Sequence, residues 1–203
     1  MIVVVEGDTD VPYVRKLAKE AGLEITSMVD ATGKGNIDRD LVKYNSIAKT
    51  MPLLVLRDLD HDAPCPGEFL AKSKLTPSRW FRFRLAVREL ESWILADAPG
   101  LSKFIGVEER WLPSAPDSEQ DPTRALLKIV ARSPGDVRRR LLPAKGSTTI
   151  VGPLYETTLI EFGEHHWSVA RASRRSPSLK RAREALRTLA REWAAYVDPG
   201  AAS

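Results

Sequence analysis

Two short stretches of this chain, Ile2-Val3-Val4-Val5 and Pro52-Leu53-Leu54-Val55-Leu56, contain no polar residue; the first runs into Glu6 and the second into Arg57-Asp58-Leu59-Asp60. A strand that is apolar at every position must be covered on both faces, which is the environment of a parallel sheet between helical layers. The intervening residues supply the helices. Val11, Val14, Leu17, Ala18 and Ala21 recur at helical spacing, Pro12 falls in the first turn, and Gly22 is a stop signal. The pattern then predicts a strand over 23–29, a loop over 31–36 and a helix over 37–49. After the strand at 52–56 comes a loop rich in Pro and Gly. A strand over 80–87, with alternating bulky and basic residues, leads into a helix over 88–98. Strands alternating with helices predict an α/β fold with a largely parallel, Rossmann-like sheet flanked by helices.

This core spans residues 1–100. Residues 101–203 are expected to form a basic, mostly helical C-terminal extension packed on it. Short helices are predicted over 123–131 and 135–142, with 143–155 irregular. A last helix is marked by Ser176 as N-cap, Pro177 at the first helical position, and Leu179, Ala182, Ala185, Leu186, Leu189 and Trp193 on one face. With 43% hydrophobic and 29% charged residues, the chain can bury a core. It has no apolar run of the roughly 18 residues a membrane span needs, and its first residues read as a strand, so a cytoplasmic location is expected. The single cysteine, Cys65, excludes an internal disulfide framework.

Charge is distributed unevenly. Residues 1–122 carry 16 Lys/Arg against 20 Asp/Glu, whereas residues 123–203 carry 15 against 7. A basic half beside an acidic half points to a polyanionic partner met by one face while carboxylates act on another. Lys180, Arg181, Arg183 and Arg187 on the last helix are the candidate nucleic-acid-binding residues.

The acids lie where an open α/β sheet builds its site, beyond the carboxyl ends of the strands. Glu6, Asp8 and Asp10 follow the first strand, Asp58 and Asp60 the third, and Glu89 and Glu91 the fourth. Repeated carboxylates at buried strand ends repel unless something neutralises them, and a hard cation such as Mg²⁺ does so. Asp58 and Asp60 on an extended chain would project to the same side, roughly 6.5–7 Å apart at the backbone. Taken singly, Asp8, Thr9 and Asp10 each read better as helix caps, and it is the convergence of three strand ends that points to a metal site. The Gly33-Lys34-Gly35 loop lacks the spacing of a phosphate-binding loop and reads as a tight turn. His165-His166 reads as a surface or partly packed pair, and the Trp80, Phe81, Phe83 stripe reads as core.

Read together as strand, Glu6-Gly7-x-x-Asp10, helix, then strand and Asp58-x-Asp60, these residues resemble a TOPRIM domain. The stretch Glu91-Ser92-Trp93-Ile94-Leu95-Ala96-Asp97 and the later Ser176-Pro177-Ser178-Leu179 are similar to small bacterial TOPRIM-like proteins related to the overcoming-lysogenization-defect (OLD) nucleases. The resemblance implies a metal site of Glu6, Asp10, Asp58, Asp60 and one of Glu89 and Glu91, holding Mg²⁺ or Mn²⁺, in all two ions. Glu6 and Lys145 are implied as catalytic residues. A metal-dependent nuclease acting on DNA or RNA is the function implied, with a role in phage defence or DNA repair. The larger relatives carry an ATPase domain that is missing here, so a separate ATPase partner is expected, and assembly as a homo-oligomer is admitted. The alternative is a non-catalytic nucleic-acid- or nucleotide-binding module on the same fold.

Overall fold

In the computed structural model, which describes residues 1–199, four strands, β1 (Ile2–Val5), β2 (Ser27–Asp30), β3 (Leu53–Asp58) and β4 (Phe81–Ala86), form one sheet in the order β2-β1-β3-β4. All three pairings are parallel, with Val3 opposite Met28 and Leu54, and Leu54 opposite Arg82. The α/β expectation therefore holds. Side chains alternate as the pleat requires. Val4, Leu53, Val55, Phe81 and Phe83 point into one core, under α2 (Lys34–Ile47) and α3 (Pro66–Ser73). Val3, Val5, Leu54 and Leu56 point into the other.

That second core is shared with the rest of the chain. It is covered by α1 (Val11–Ala21), α4 (Leu90–Ala96), α5 (Ala98–Ile105), α6 (Pro122–Val130), α7 (Gly135–Leu141), α8 (Tyr155–His165), α9 (Val169–Ala172) and α10 (Pro177–Val197). Val3 and Val5 thus sit in one cluster with Leu126, Phe162 and Leu186. Buried polar atoms tie the helical half to the sheet half. The Tyr13 hydroxyl donates to Leu159 O at 2.8 Å, and the Trp93 indole donates to Ser178 Oγ at 2.8 Å. The Trp167 indole donates to Trp93 O at 3.0 Å. Asp97, with no exposure, accepts from Ser168 N at 2.8 Å and from Arg171 Nε at 2.6 Å and Nη2 at 2.8 Å.

Several elements differ from expectation. β2 is only Ser27–Asp30, because Gly22 (φ 76°) ends α1 with its N–H on Lys19 O, and Leu23 turns back to Ala18 O. Leu23 is buried as part of this cap. α2 begins three residues early, at Lys34. The Pro/Gly-rich loop contains α3, which Pro66 opens at its first position and whose Phe69 packs on Phe83. α8 was not expected; its 3.6-residue signal is weak, because Gly163 replaces a side chain where Pro12 and Tyr13 press against the helix. The last helix has the predicted Ser176 cap, which accepts from Leu179 N at 3.1 Å.

Replacing Asp97 with Ala leaves Arg171 and the Ser168 N–H without their shared acceptor. The expected loss is about 3 kcal/mol of unfolding free energy by urea denaturation. Arg124→Ala, which breaks the exposed pair with Asp121, should cost no more than about 0.5 kcal/mol.

Candidate functional site

The parallel register places the C-terminal ends of β1 and β3 side by side, and Glu6 Oε2 accepts the Asp58 N–H at 3.2 Å. Beyond Glu6 the chain turns through a 3₁₀ segment, Asp8–Asp10, into α1. The buried Asp10 carboxylate folds back over this turn and accepts from Glu6 N at 2.9 Å and Gly7 N at 3.1 Å. From the other side Glu91, in the first turn of α4, accepts the Tyr155 hydroxyl at 2.9 Å. Together these elements bound a cleft of about 420 Å³ whose lining includes the carboxylates of Glu6, Asp10, Asp58, Glu91 and Glu156. Gly33, Thr9, Thr123 and Tyr155 also contribute, and no Lys or Arg does so among the described residues.

The electrostatics follow from that composition. Burial, then repulsion from Glu6 and Asp30, pushes Asp10 up to about 7 despite its two backbone donors. Burial and the neighbouring Glu89 push Glu91 up to about 7. Asp58 is raised well above the usual carboxylate range by burial and by Asp10, Glu91 and Glu6. Glu6 is raised by burial, opposed by its hydrogen bond from Asp58 N. Tyr155, buried beside Glu91, has its phenol held firmly in the protonated, donating form.

Asp60 does not join this group as the extended-chain argument expected. β3 ends at Asp58, and Asp60 turns into a left-handed conformation (φ 47°) with its carboxylate 2.6 Å from Lys34 Nζ. Lys34 also reaches Asp62 at 3.0 Å, and buried Arg57 links Asp62 (2.6 Å) to Asp38 (2.8 Å). The Gly33-Lys34-Gly35 loop that read as a plain turn is therefore the source of Asp60's counter-charge.

The ambiguity between Glu89 and Glu91 is also resolved in space. α4 starts at Leu90 and not at Arg88, so the two glutamates do not share a helix: Glu89 is its N-cap residue. The Glu89 carboxylate accepts from Thr123 N at 3.0 Å and Oγ1 at 2.7 Å, at the start of α6, and does not line the cleft. Glu91 does.

Lys145 lies exposed in the loop between α7 and α8 and is not part of the cleft lining. On α10, Lys180 and Arg181 are exposed, but Arg183 and Arg187 both bind Glu20 of α1, with Arg187 Nη2 at 2.8 Å. Those guanidiniums hold the Glu20 carboxyl below its usual range. Two of the four expected nucleic-acid contacts are thus engaged within the fold, sharing the one carboxylate of Glu20.

The donor set matches a hard divalent cation in ligand type, since its side-chain donors are carboxylates without a paired cation among the described residues. The side chains are not gathered around a single point, however. Among the described residues no group of three or more His, Cys, Asp or Glu is arranged to hold an ion. Asp10, Glu91 and Glu6 are instead turned onto internal donors. Tyr155, Glu156 and Thr123 are polar cleft residues that sequence reasoning missed; nothing in their local sequence links them to residues 6–91. Comparisons with protein-family models, curated proteins and solved structures find no match to this chain. No helix among the described residues is long and apolar enough to cross a membrane.

The raised carboxylates give a definite pH dependence. Asp10 and Glu91 ordinarily titrate at 3.8 and 4.5 and do so at about 7 in the fold. Between those values the folded chain holds protons that the unfolded chain has released, so raising pH through the window lowers stability. In EDTA, Glu91→Gln should therefore lose less stability than wild type between about pH 5 and about pH 8, read from urea midpoints.

Proposed function

We propose that this chain is a metal-dependent nuclease that hydrolyses phosphodiester bonds of DNA or RNA, with Glu6, Asp10, Asp58 and Glu91 holding Mg²⁺ or Mn²⁺. The observation behind this reading is the cleft at the strand ends, with five carboxylates and, among the described residues, no cationic side chain. Such an excess of negative charge is costly in isolation and is the environment a divalent ion relieves. When bound there, the ion would neutralise phosphate charge and make water a competent nucleophile near neutral pH.

The chain's own residues divide the work. Glu6 and Asp58 present adjacent carboxylates from neighbouring strands, and the backbone donors of Glu6 and Gly7 fix the orientation of Asp10. Tyr155 orients Glu91 by donating to one of its oxygens, which leaves the other available. Asp60 is assigned to the Lys34 pair, outside this set. The implied TOPRIM-like relationship supports the same reading, and a separate ATPase partner and a role in phage defence or DNA repair rest on that resemblance alone. A non-catalytic nucleic-acid-binding module is the second reading, favoured by the carboxylates' present hydrogen bonds to internal donors rather than to one point.

Cleavage of plasmid and labelled oligonucleotides with Mg²⁺, Mn²⁺ or EDTA separates the two. Wild type should cut only with metal, and Glu6→Gln should lose at least about 100-fold in rate with binding of the same substrate retained. Lys34→Met, outside the set, should keep more activity than Glu6→Gln. Saturable Mn²⁺ binding that Asp58→Ala abolishes would support the site directly. Binding without cleavage under any metal would leave the second reading in place.

A further inference from the structure

On the edge strand β4, away from the carboxylate cleft's lining, one arginine is out of electrostatic balance. Arg84 projects from β4, and its Nε is buried without a hydrogen-bond partner. Its one hydrogen bond is a long 3.4 Å contact from Nη1 to Phe83 O. No carboxylate pairs with it among the described residues. Instead, Arg82 and Arg181 stand near enough to repel it, and these add to burial in lowering its affinity for its proton. Arg82 has Glu192 at 2.8 Å, but Arg181 has no ion-pair partner among the described residues. A guanidinium does not deprotonate in a protein, so the unpaired charge persists, half-buried, and leaving its buried Nε without an acceptor is unfavourable.

Space is available where a counter-ion would resolve this. Arg84 and Arg181 line one pocket of about 240 Å³ with Gly67, Leu70, Leu85 and Ser178. A second pocket of about 450 Å³ shares Arg84, Leu70 and Phe83 with it and adds the apolar surface of Leu75, Pro77 and Phe81. The two form adjoining lobes that meet at Arg84, the larger of them also bordered by Ser73 and by the Glu192-paired Arg82, and neither shares a lining residue with the carboxylate cleft.

We propose that this two-lobed pocket binds a small organic phosphate, with the phosphoryl group between Arg84 and Arg181 and the uncharged part on Leu75, Pro77 and Phe81. A tetrahedral dianion suits two guanidiniums better than one carboxylate does, because its several oxygens accept from both planar forks at once. The apolar lobe then sets which phosphates are retained. This site stands independently of the nuclease reading.

The test uses the full chain in EDTA at constant ionic strength, with AMP, adenosine and inorganic phosphate as probes in calorimetry and thermal unfolding. AMP should bind saturably and raise Tm, inorganic phosphate should bind more weakly, and adenosine should do neither. Arg84→Met and Arg181→Met should each weaken AMP binding by at least about tenfold. Arg84→Met should also raise Tm in the absence of ligand, since it removes a half-buried charge with no ionic partner while keeping much of the side chain's volume. A merely structural arginine would give the opposite sign. AMP affinity unchanged in both variants, or equal binding of adenosine, would overturn the proposal, as would a fall in the ligand-free Tm of Arg84→Met. Arg181→Met, at an exposed position, decides the binding result if Arg84→Met does not fold. Displacement of AMP by an oligothymidylate lacking terminal phosphate would overturn the small-molecule assignment in favour of a nucleic-acid backbone.

Discussion

A strand covered on both faces has no place along its length for a charge, so whatever charges the chain carries there are pushed to the strand's ends. β1 and β3 are such strands: Val3, Val4 and Val5 have no exposure, and Leu53 to Leu56 have almost none. Their parallel pairing then aligns the ends, and Glu6, just after β1, meets Asp58, the last residue of β3, as the hydrogen bond from Asp58 N to Glu6 shows. The cleft, the repulsion within it and the raised carboxylates all follow from this one arrangement.

The chain deals with its excess of strand-end acids in two ways. On the α2 side they are paired: Lys34 holds Asp60 and Asp62, and buried Arg57 holds Asp62 and Asp38 while stacking 4.5 Å from the Phe69 ring. On the α1 and α4 side they are left to backbone N–H groups and a tyrosine hydroxyl. Backbone and phenol donors orient a carboxylate without supplying a full positive charge. The division separates acids paired with a full positive charge from acids held only by neutral donors.

The helical second half is part of the site as well as its support. α8 brings Tyr155 to Glu91, the start of α6 brings Thr123 to Glu89, and the loop before α8 closes one wall with Ile150 and Val151. These residues reach the strand ends because Trp93, Asp97, Trp167 and Ser178 lock α4, α9 and α10 together through buried hydrogen bonds. Directional bonds of this kind set the position of a helix more narrowly than apolar contact does.

The alternation of apolar runs with helical patterns was enough to determine the parallel α/β sheet, because burial on both faces leaves a periodicity that can be read one residue at a time. The same reasoning located Glu6, Asp10, Asp58 and Glu91 at strand ends, and the Ser176-Pro177 start of α10. It failed where a side chain's direction depends on a partner far away in the chain. Asp58 and Asp60 look equivalent in sequence, yet a left-handed residue at 60 and the amine of Lys34 turn one of them away. Glu89 and Glu91 look alike until the helix starts at Leu90 and Thr123 claims the first. Arg183 and Arg187 look like a free basic face until α10 packs beside α1 and meets Glu20. Local sequence records which residues must be buried, whereas the pairing of a charge is settled by whichever opposite charge the tertiary fold brings within hydrogen-bonding reach.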